Sequence, residues 1–369
     1  MKKLFKCLLV ALILCLFTGC ATKKEPDLYL LKINDYLYAT EYNDYSFKIV
    51  NSNETKITGG CSSVRNKNFF GRNLDLTYSQ TPEFVVHIKA NENRYESIGV
   101  CANPYITTNV EKMNKKELLS LPAITNDGIN ECGVFASVHV VNSKGVDDKK
   151  GTDSSKEKLD GRMVVRYILD NASSADEAIT LLKDKNIVGG FEEYGLHWMI
   201  GDKDNNYVVE IMNNELIVNK NYNYFTNFYI SYGEVKESQT IGDETFENIP
   251  LLNDYAVGVE RYNYIKNNYE STDTKEGILQ MMMDVKISEA YNQQWLSDFV
   301  NYDVSIHASK AELLNSYKKE LVKYQNRDRE NPQGDWNTWH TSVYDIEDRT
   351  LYLYSQEDYE NEYIFDLYK

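Results

Sequence analysis

Alternating blocks of strand and paired-helix text constrain this chain more than any other feature of its sequence. Strand patterns with hairpin turns fill about residues 28–103, and a turn at Asn126-Asp127-Gly128 leads into a further strand within 125–141. Val164, Tyr167 and Ile168 then recur at helical spacing within 161–171, and Ser174-Ala175-Asp176-Glu177 is a capping box that opens a second helix over 178–185. Strands resume at 196–201, 207–212 and 224–231. Helical patterns return at 253–268 and, after the cap Asp273-Thr274-Lys275-Glu276, at 277–285. Tyr-rich strands close the chain at 339–344, 350–354 and 363–367. Two helix pairs set among three strand blocks predict an α+β fold, with sheets packed face to face and helices outside. No internal repeat or low-complexity linker divides the body, so one domain is expected over residues 61–369.

The first nineteen residues stand apart from that body. Lys2, Lys3 and Lys6 form a basic start, and residues 8–17 form an apolar run suited to an export signal and too short to cross a bilayer unaided. Leu16-Phe17-Thr18-Gly19-Cys20 resembles a bacterial lipoprotein cleavage box, with Phe17 where Leu is usual. The reading is a lipoprotein signal peptide over 1–19, lipid attachment at Cys20, and an anchor and pro-segment over 20–60. It puts the protein outside the cytoplasm on the cell membrane, with release of the catalytic body after processing left open; a plain signal peptide with a chance Cys is the alternative to the anchor. Within the pro-segment, residues 36–40 and 45–50 have strand character and could pair with the domain. The formal net charge of −16 repels phosphate backbones, which argues against nucleic acid as a partner.

Apart from Cys7, Cys15 and Cys20, the body holds Cys61, Cys101 and Cys132, an odd number that leaves at least one free thiol. Cys101 and Cys132 lie in apolar, strand-like text and read as small buried hydrophobes. Cys61 follows Gly59-Gly60 and opens a hairpin whose return strand is Phe69-Phe70-Gly71-Arg72-Asn73-Leu74-Asp75. Hydrolase elbows, phosphate loops, dinucleotide fingerprints and zinc-binding helices are missing. Asp202-Lys203-Asp204-Asn205-Asn206 begins like a calcium loop, but Tyr207 replaces the needed Gly and Asn213 the final Glu, so it reads as a hairpin turn. His87, His139, His197, His307 and His340 show no ligand spacing and read as structural, and Met281-Met282-Met283 reads as core. The expectation is a reaction without cofactor or metal that uses a side-chain nucleophile.

Several segments, in unbroken order, resemble one family. Cys61-Ser62-Ser63 with Gly71-Arg72-Asn73-Leu74-Asp75 resembles the opening of the choloylglycine hydrolase family, which includes bile salt hydrolases and penicillin V acylases. Asn130-Glu131-Cys132-Gly133 resembles its N-E-x-G segment, His197-Trp198-Met199-Ile200-Gly201-Asp202 its central hairpin, and Phe225-Thr226-Asn227 its T-N motif. Arg261 falls where the family carries an arginine at a helix start, and Trp339-His340-Thr341-Ser342 resembles its closing strand. The resemblance implies the four-layered αββα fold of N-terminal nucleophile hydrolases and cleavage of a linear, non-peptide carbon–nitrogen amide bond. It makes Cys61 the nucleophile, sets Arg72 on the thiolate side, and gives Asp75 the orientation of the Cys61 amino group. Asn227 becomes an oxyanion donor, and Arg261 a charge near the nucleophile or the leaving amine.

The chemistry explains why these residue types occur together. A Cys at a free N-terminus supplies a nucleophile and, in an α-amino group of ordinary pKa near ~8, its own base. That requires the Gly60–Cys61 bond to be cut, and an unhindered Gly59-Gly60 fits attack by the downstream thiol; a hairpin turn before a buried Cys explains the glycines equally well. Arg72 and Asp75 lie 11 and 14 residues beyond Cys61, and three apart on a strand they start on opposite faces, so a bulge or twist must reconcile them. A surface Arg–Asp pair is the alternative.

Where bile salt hydrolases and penicillin V acylases carry Asn or Tyr at a second oxyanion position, the register gives Val140, with His139 beside it. Either a backbone N–H serves there or the register shifts by one. Val140 orders the substrates as N-acyl amino acids or peptide-like amides first, conjugated bile salts second and penicillin V third. The expected partner is a small N-acyl amide, and a homo-oligomer is compatible with the chain. The competing class is a surface lipoprotein that keeps the fold as a binding module, which an intact set of Cys61, Arg72, Asp75, Asn227 and Arg261 disfavours.

Overall fold

The computed structural model describes residues 28–49, 59–76, 82–102, 110–142, 151–189, 194–212, 214–232, 238–241, 244–247, 258–287 and 337–368. Alternating apolar residues bring the strands into two principal sheets. The larger contains β1 (Leu28–Lys32), β2 (Leu37–Tyr42), β5 (Glu83–Ile88), β6 (Ser97–Ala102), β7 (Asp127–Asn130), β8 (Phe135–Asn142), β11 (Tyr194–Gly201), β12 (Asn206–Met212) and β13 (Glu215–Lys220), in that order across the sheet. The smaller runs β14 (Tyr224–Phe225), β3 (Gly59–Arg65), β4 (Phe69–Leu76), β17 (Asn337–Asp345), β18 (Thr350–Ser355), β19 (Tyr363–Asp366). Two small pairs complete the strands: β9 (Glu157–Asp160) with β10 (Lys185–Val188), and β15 (Ser238–Ile241) with β16 (Glu244–Glu247).

The inward side chains of the sheets form one apolar layer. Phe70, Tyr344, Leu351 and Leu353 from the smaller sheet meet Val85, Ile98, Ile129, Phe135 and Met199 from the larger. Phe70 stacks on Phe135 with ring centroids 4.4 Å apart, an offset contact that adds about 0.5–1.5 kcal/mol to area burial. Outside the larger sheet lie α1 (Val164–Asn171) and α2 (Ala175–Lys183), whose Val164, Ile168, Leu169, Ala178 and Leu182 bury against Trp198, Ile200 and Val209. Outside the smaller sheet lie α3 (Val259–Asn268) and α4 (Lys275–Asp284), where Ile265, Ile278, Met281 and Met282 cover Val64 and Val343. The layers are therefore αββα, as the α+β reading expects, and Met281 and Met282 are core.

Several local expectations shift. Asp127-Gly128 is not a turn: both lie in β7, and a Cβ on Gly128 would come 2.7 Å from both the Ile98 carbonyl oxygen and Leu169 Cδ1, so close packing explains that glycine. The turn comes at residues 131–134, where Asn130 Oδ1 accepts the N–H groups of Cys132 and Val134. Cys132 thus sits in a turn at half burial instead of in a strand. Ser174 caps α2 by accepting the Glu177 N–H, but Glu177 bonds Ser173, and the helix stops before Lys185, which opens β10 beside β9. Thr274, one residue later than the expected cap, starts α4. Residues 45–49 form no strand, the 224–231 strand ends at Phe225, and β13 was not anticipated. The hairpin expected over 202–206 is present, with Asp202 Oδ1 accepting the Asp204 and Asn205 N–H groups. The signal residues 1–19, Cys20, residue 50, residues 253–257 and His307 lie outside the described residues.

Candidate active site

The β3–β4 hairpin sets the geometry. Its register runs unbroken from Gly59↔Leu76 to Arg65↔Phe70, with Cys61 opposite Leu74, Ser63 opposite Arg72, and Gly60 opposite Asp75. Alternation puts Cys61, Ser63, Arg72 and Leu74 on the face toward the larger sheet, and Gly60, Asn73 and Asp75 on the face toward α3 and α4. No bulge or twist reconciles Arg72 with Asp75: β3 and β4 pair without a break and the two side chains stay on opposite faces. A separate bulge lies on β17, where pairing with β4 jumps from Thr338↔Asp75 to His340↔Leu74. The extra residue, Trp339, packs with Cys61, Leu74 and Ala102. The shift keeps Thr338 beside Asp75 while turning His340 toward Arg72.

On the inner face, Arg72 is wholly buried. Its Nη2 donates to Cys61 Sγ at 3.5 Å and to the Val138 carbonyl at 2.9 Å, and its Nη1 pairs with Asp127 Oδ2 at 2.8 Å. Asp127 also accepts from Ser342 and Tyr344 and lies 3.0 Å from His340 Nε2. His340 Nδ1 is 2.5 Å from Glu83 Oε1, and Glu83 Oε2 accepts from Ser355 at 2.8 Å. Burial opposes the charge on His340, but the Glu83 and Asp127 carboxylates outweigh it and raise its pKa to about 9. Burial likewise opposes ionisation of Asp127, and Arg72 and His340 overcome it, holding the carboxyl at about 2. Arg72⁺, Asp127⁻, His340⁺ and Glu83⁻ thus balance within a site shut off from water.

On the outer face, Arg261 Nη1 pairs with Asp75 Oδ2 at 2.8 Å and its Nη2 donates to Asn227 Oδ1 at 2.9 Å. Thr338 Oγ1 donates to Asp75 Oδ1 at 2.7 Å and accepts the Ile287 N–H. A Cβ on Gly60 would lie 2.9 Å from Ile287 Cδ1, 3.0 Å from Asp75 Oδ2 and 3.1 Å from Arg261 Nη2. Gly60 is therefore hemmed in within a strand, and the expectation of an unhindered pair of glycines is corrected: glycine stands there because the ion pair approaches the backbone so closely.

Two strand endings place the remaining groups. Pairing of β14 with β3 stops at Phe225↔Ser63; continued, it would set Asn227 opposite Cys61, and Asn227 Oδ1 accepts the Cys61 N–H at 2.7 Å. Pairing of β7 with β8 stops at Asp127↔Ser137, so beyond it β8 turns backbone groups toward the site instead of toward another strand. The Val138 carbonyl takes Arg72 and the Val140 carbonyl takes Asn227 Nδ2 at 2.6 Å, and the Val140 backbone lies near enough to the thiol to favour its ionised form. The Val140 side chain packs in the α1–α2 layer, while His139 reaches inward to Ser63 Oγ at 2.8 Å and the Thr226 carbonyl at 3.2 Å. Val140 therefore meets the site through its backbone, not its side chain. Burial above all, with Arg72 and His197 nearby, holds the His139 pKa well below the ordinary value, so its ring is neutral. His197 binds the Thr226 carbonyl and Glu210, which accepts the Ile230 and Ser231 N–H groups and so fixes the turn carrying Asn227.

The structure brings Arg72, Asp75, Asn227 and Arg261 together around Cys61. In the uncut chain Asn227 Oδ1 accepts the Cys61 peptide N–H, and one amide hydrogen of Asn227 is engaged by the Val140 carbonyl. Burial raises the Cys61 thiol above its ordinary pKa, opposed by Arg72 and Arg261 and reinforced by Asp75. Cys61, Cys101 and Cys132 are all free thiols. Sequence reasoning missed Asp127, His340, Glu83 and Thr338 as members of the site. Asp127 read as a turn residue and His340 as an isolated histidine; Glu83 carries no local signal beyond an acid heading an apolar strand. Among the described residues, no group of three or more His, Cys, Asp or Glu is disposed to hold a metal ion.

Comparison with known proteins completes the picture. A search of curated proteins finds no match. Among solved structures, two variants of conjugated bile acid hydrolase from Clostridium perfringens are similar at 19% and 18% identity, over 84% of this chain and 92% of each of those, with TM-scores of 0.49 and 0.48. Penicillin V acylase from Agrobacterium tumefaciens is similar at 16% identity over 84% of this chain and 86% of that chain, with a TM-score of 0.38. The profile of linear amide C-N hydrolases, choloylglycine hydrolase family, matches residues 61–290, well over half of the chain and starting on Cys61 itself. With its αββα layers and its buried Cys61 site, the chain belongs to the choloylglycine hydrolase family and is a linear amide C-N hydrolase.

Proposed function

We propose that Cys61 is an N-terminal nucleophile exposed by self-cleavage, and that the mature enzyme hydrolyses an N-acyl amide outside the cytoplasm. The observation that carries this reading is the convergence of Arg72 on the Cys61 thiol and of Asn227 on the Cys61 N–H, on the residue where the family match begins. In cleavage, the thiol adds to the Gly60 carbonyl, the peptide nitrogen leaves with the thiol proton, and water hydrolyses the resulting thioester. The products are a Gly60 carboxylate and a free Cys61 amine. In turnover, that amine takes the thiol proton, the thiolate attacks the amide carbonyl, the substrate amine departs, and water releases the acid. The Val140 backbone N–H and the second Asn227 Nδ2 hydrogen receive the oxyanion, Arg72 steadies the thiolate, and Arg261 with Asp75 holds the amine side.

The basic and apolar leader ending in Cys20 supports export and a lipid anchor on the membrane. The Val140 side chain is turned away into the α1–α2 layer and offers no polar clamp, which favours N-acyl amino acids or peptide-like amides over conjugated bile salts, and those over penicillin V. Intact-mass measurement should find a chain starting at Cys61; an uncut chain that still hydrolyses amides would remove the mechanism. Amine release from a panel of N-acyl amino acids, glyco- and tauro-conjugated bile salts and penicillin V tests the ranking, and bile salts turning over fastest would reverse it.

A further inference from the structure

Between β2 and β5, two neighbouring strands of the larger sheet, the chain crosses into the smaller sheet and passes through Cys61. β2 and β5 pair in parallel from Leu37↔Glu83 to Tyr42↔Ile88, and β3 and β4 lie between them in sequence. A cut at Gly60–Cys61 therefore severs the covalent link of β2 to the body while leaving its ladder intact. Leu37 and Tyr42 are fully buried, Tyr38 stacks on Phe84 at 5.4 Å, and Thr40 Oγ1 donates to the Val85 carbonyl at 2.9 Å. Tyr42 donates to the Leu118 carbonyl, Ser46 N–H to the Leu119 carbonyl, and Tyr36 meets Trp339, the bulge residue against Cys61, edge-on at 6.3 Å. Removing the segment would bare the edge of β5 and the apolar faces beneath it.

The head of β5 matters most. The Glu83 N–H donates to the Tyr36 carbonyl at 2.8 Å, while the Glu83 carboxylate holds His340, and through it Asp127 and Arg72. We propose that residues 28–49 remain on the body after cleavage as a second, non-covalently held chain, and that β2 keeps Glu83 seated under His340 so that Arg72 stays on Cys61. Glu83 is thus a positioning residue. The proposal rests on the cleavage proposed above, and its test is arranged to separate the two.

Two forms of the full chain are purified: the wild type, and Cys61→Ala with a site-specific protease sequence inserted among residues 51–58 and cut by added protease. The expected result for both is two masses under denaturing conditions and a single native gel-filtration peak. Amide hydrogen exchange across Tyr38–Tyr42 should slow to within roughly tenfold of the uncut chain, as expected for a strand that opens only with its sheet. Departure of the small fragment in native buffer, whether the body stays soluble or precipitates, overturns the proposal. A wild type that stays uncut sinks the cleavage, while the protease-cut form still decides the association. For the positioning role, iodoacetamide alkylation of Cys61 at pH 7 in Glu83→Gln should slow roughly tenfold, because the thiolate is the reacting form. A Glu83→Gln protein that is merely less stable, with an unchanged alkylation profile against pH, overturns that role.

Discussion

Arg72 and Asp75 leave opposite faces of one strand, and their charges are balanced in different ways. Arg72 points between the sheets into a closed set of four charges anchored by β5, β7 and β17. Asp75 points toward the helices and, among the described residues, pairs with one cation, Arg261, which also reaches Asn227. The inner set touches the thiol and involves no atom of the Gly60–Cys61 peptide group; the outer set crowds Gly60 and, through Asn227, holds the Cys61 N–H. Under the cleavage proposed above, the inner face would serve as a scaffold unchanged by the cut and the outer face would be remade around a new amine, so the two faces can be told apart by mutation.

The largest effect falls where both faces meet. Cys61→Ser should leave the chain uncut and lower turnover by at least about 10⁴-fold, measured by intact mass and amine release, since an alcohol ionises far less readily than a thiol. On the inner face, Asp127→Asn leaves Arg72⁺ and His340⁺ buried with too little countercharge, and a loss of about 3–5 kcal/mol in urea unfolding is expected. A near-normal midpoint would show that the inner set is not the scaffold described. On the outer face, Asn227→Ala should lose roughly 10²-fold in kcat, about 2.7 kcal/mol, the cost of removing the oxyanion donor proposed at that side chain.

Acidity separates the faces further. His340 is raised from 6.5 to about 9, so its stabilising contribution is complete below pH 6.5 and fades as pH rises through about 9, by on the order of 3 kcal/mol. Asp127 is lowered from 3.8 to about 2, so its contribution is complete above pH 3.8 and is lost as pH falls through about 2. Unfolding measured from pH 6 to 10 should show the alkaline loss in the wild type and a flatter profile in His340→Gln. Smallest of all, Thr338→Val removes one hydroxyl from Asp75 and should cost about 1 kcal/mol in the same assay while leaving the His340 slope in place.

What was legible in the sequence was what repeats or clusters locally. The strand blocks, the helix pairs and the Cys61 to Asp75 hairpin follow from apolar periodicity, and a nucleophile with an Arg and an Asp on its return strand needs only a short stretch of chain. Glu83, Asp127, Thr338 and His340 were not legible as a set, because each is an ordinary polar residue in apolar text until two sheets close over it. Asp127-Gly128 misled because the same dipeptide serves a turn or a tight strand crossing, and only the packing of Leu169 and Ile98 decides which.

By itself the sequence determined the fold class and the grouping of Cys61 with Arg72 and Asp75 on one hairpin, since residue type and spacing fix which side chains a hairpin can bring back to its start. Only the tertiary structure decided that Arg72 is held by a buried ion network and that Val140 acts through its backbone, not its side chain. It likewise decided that the segment before Cys61 is part of the sheet. Those facts depend on where β7 and β14 stop pairing and on the bulge at Trp339, which are set by packing between elements far apart in the chain.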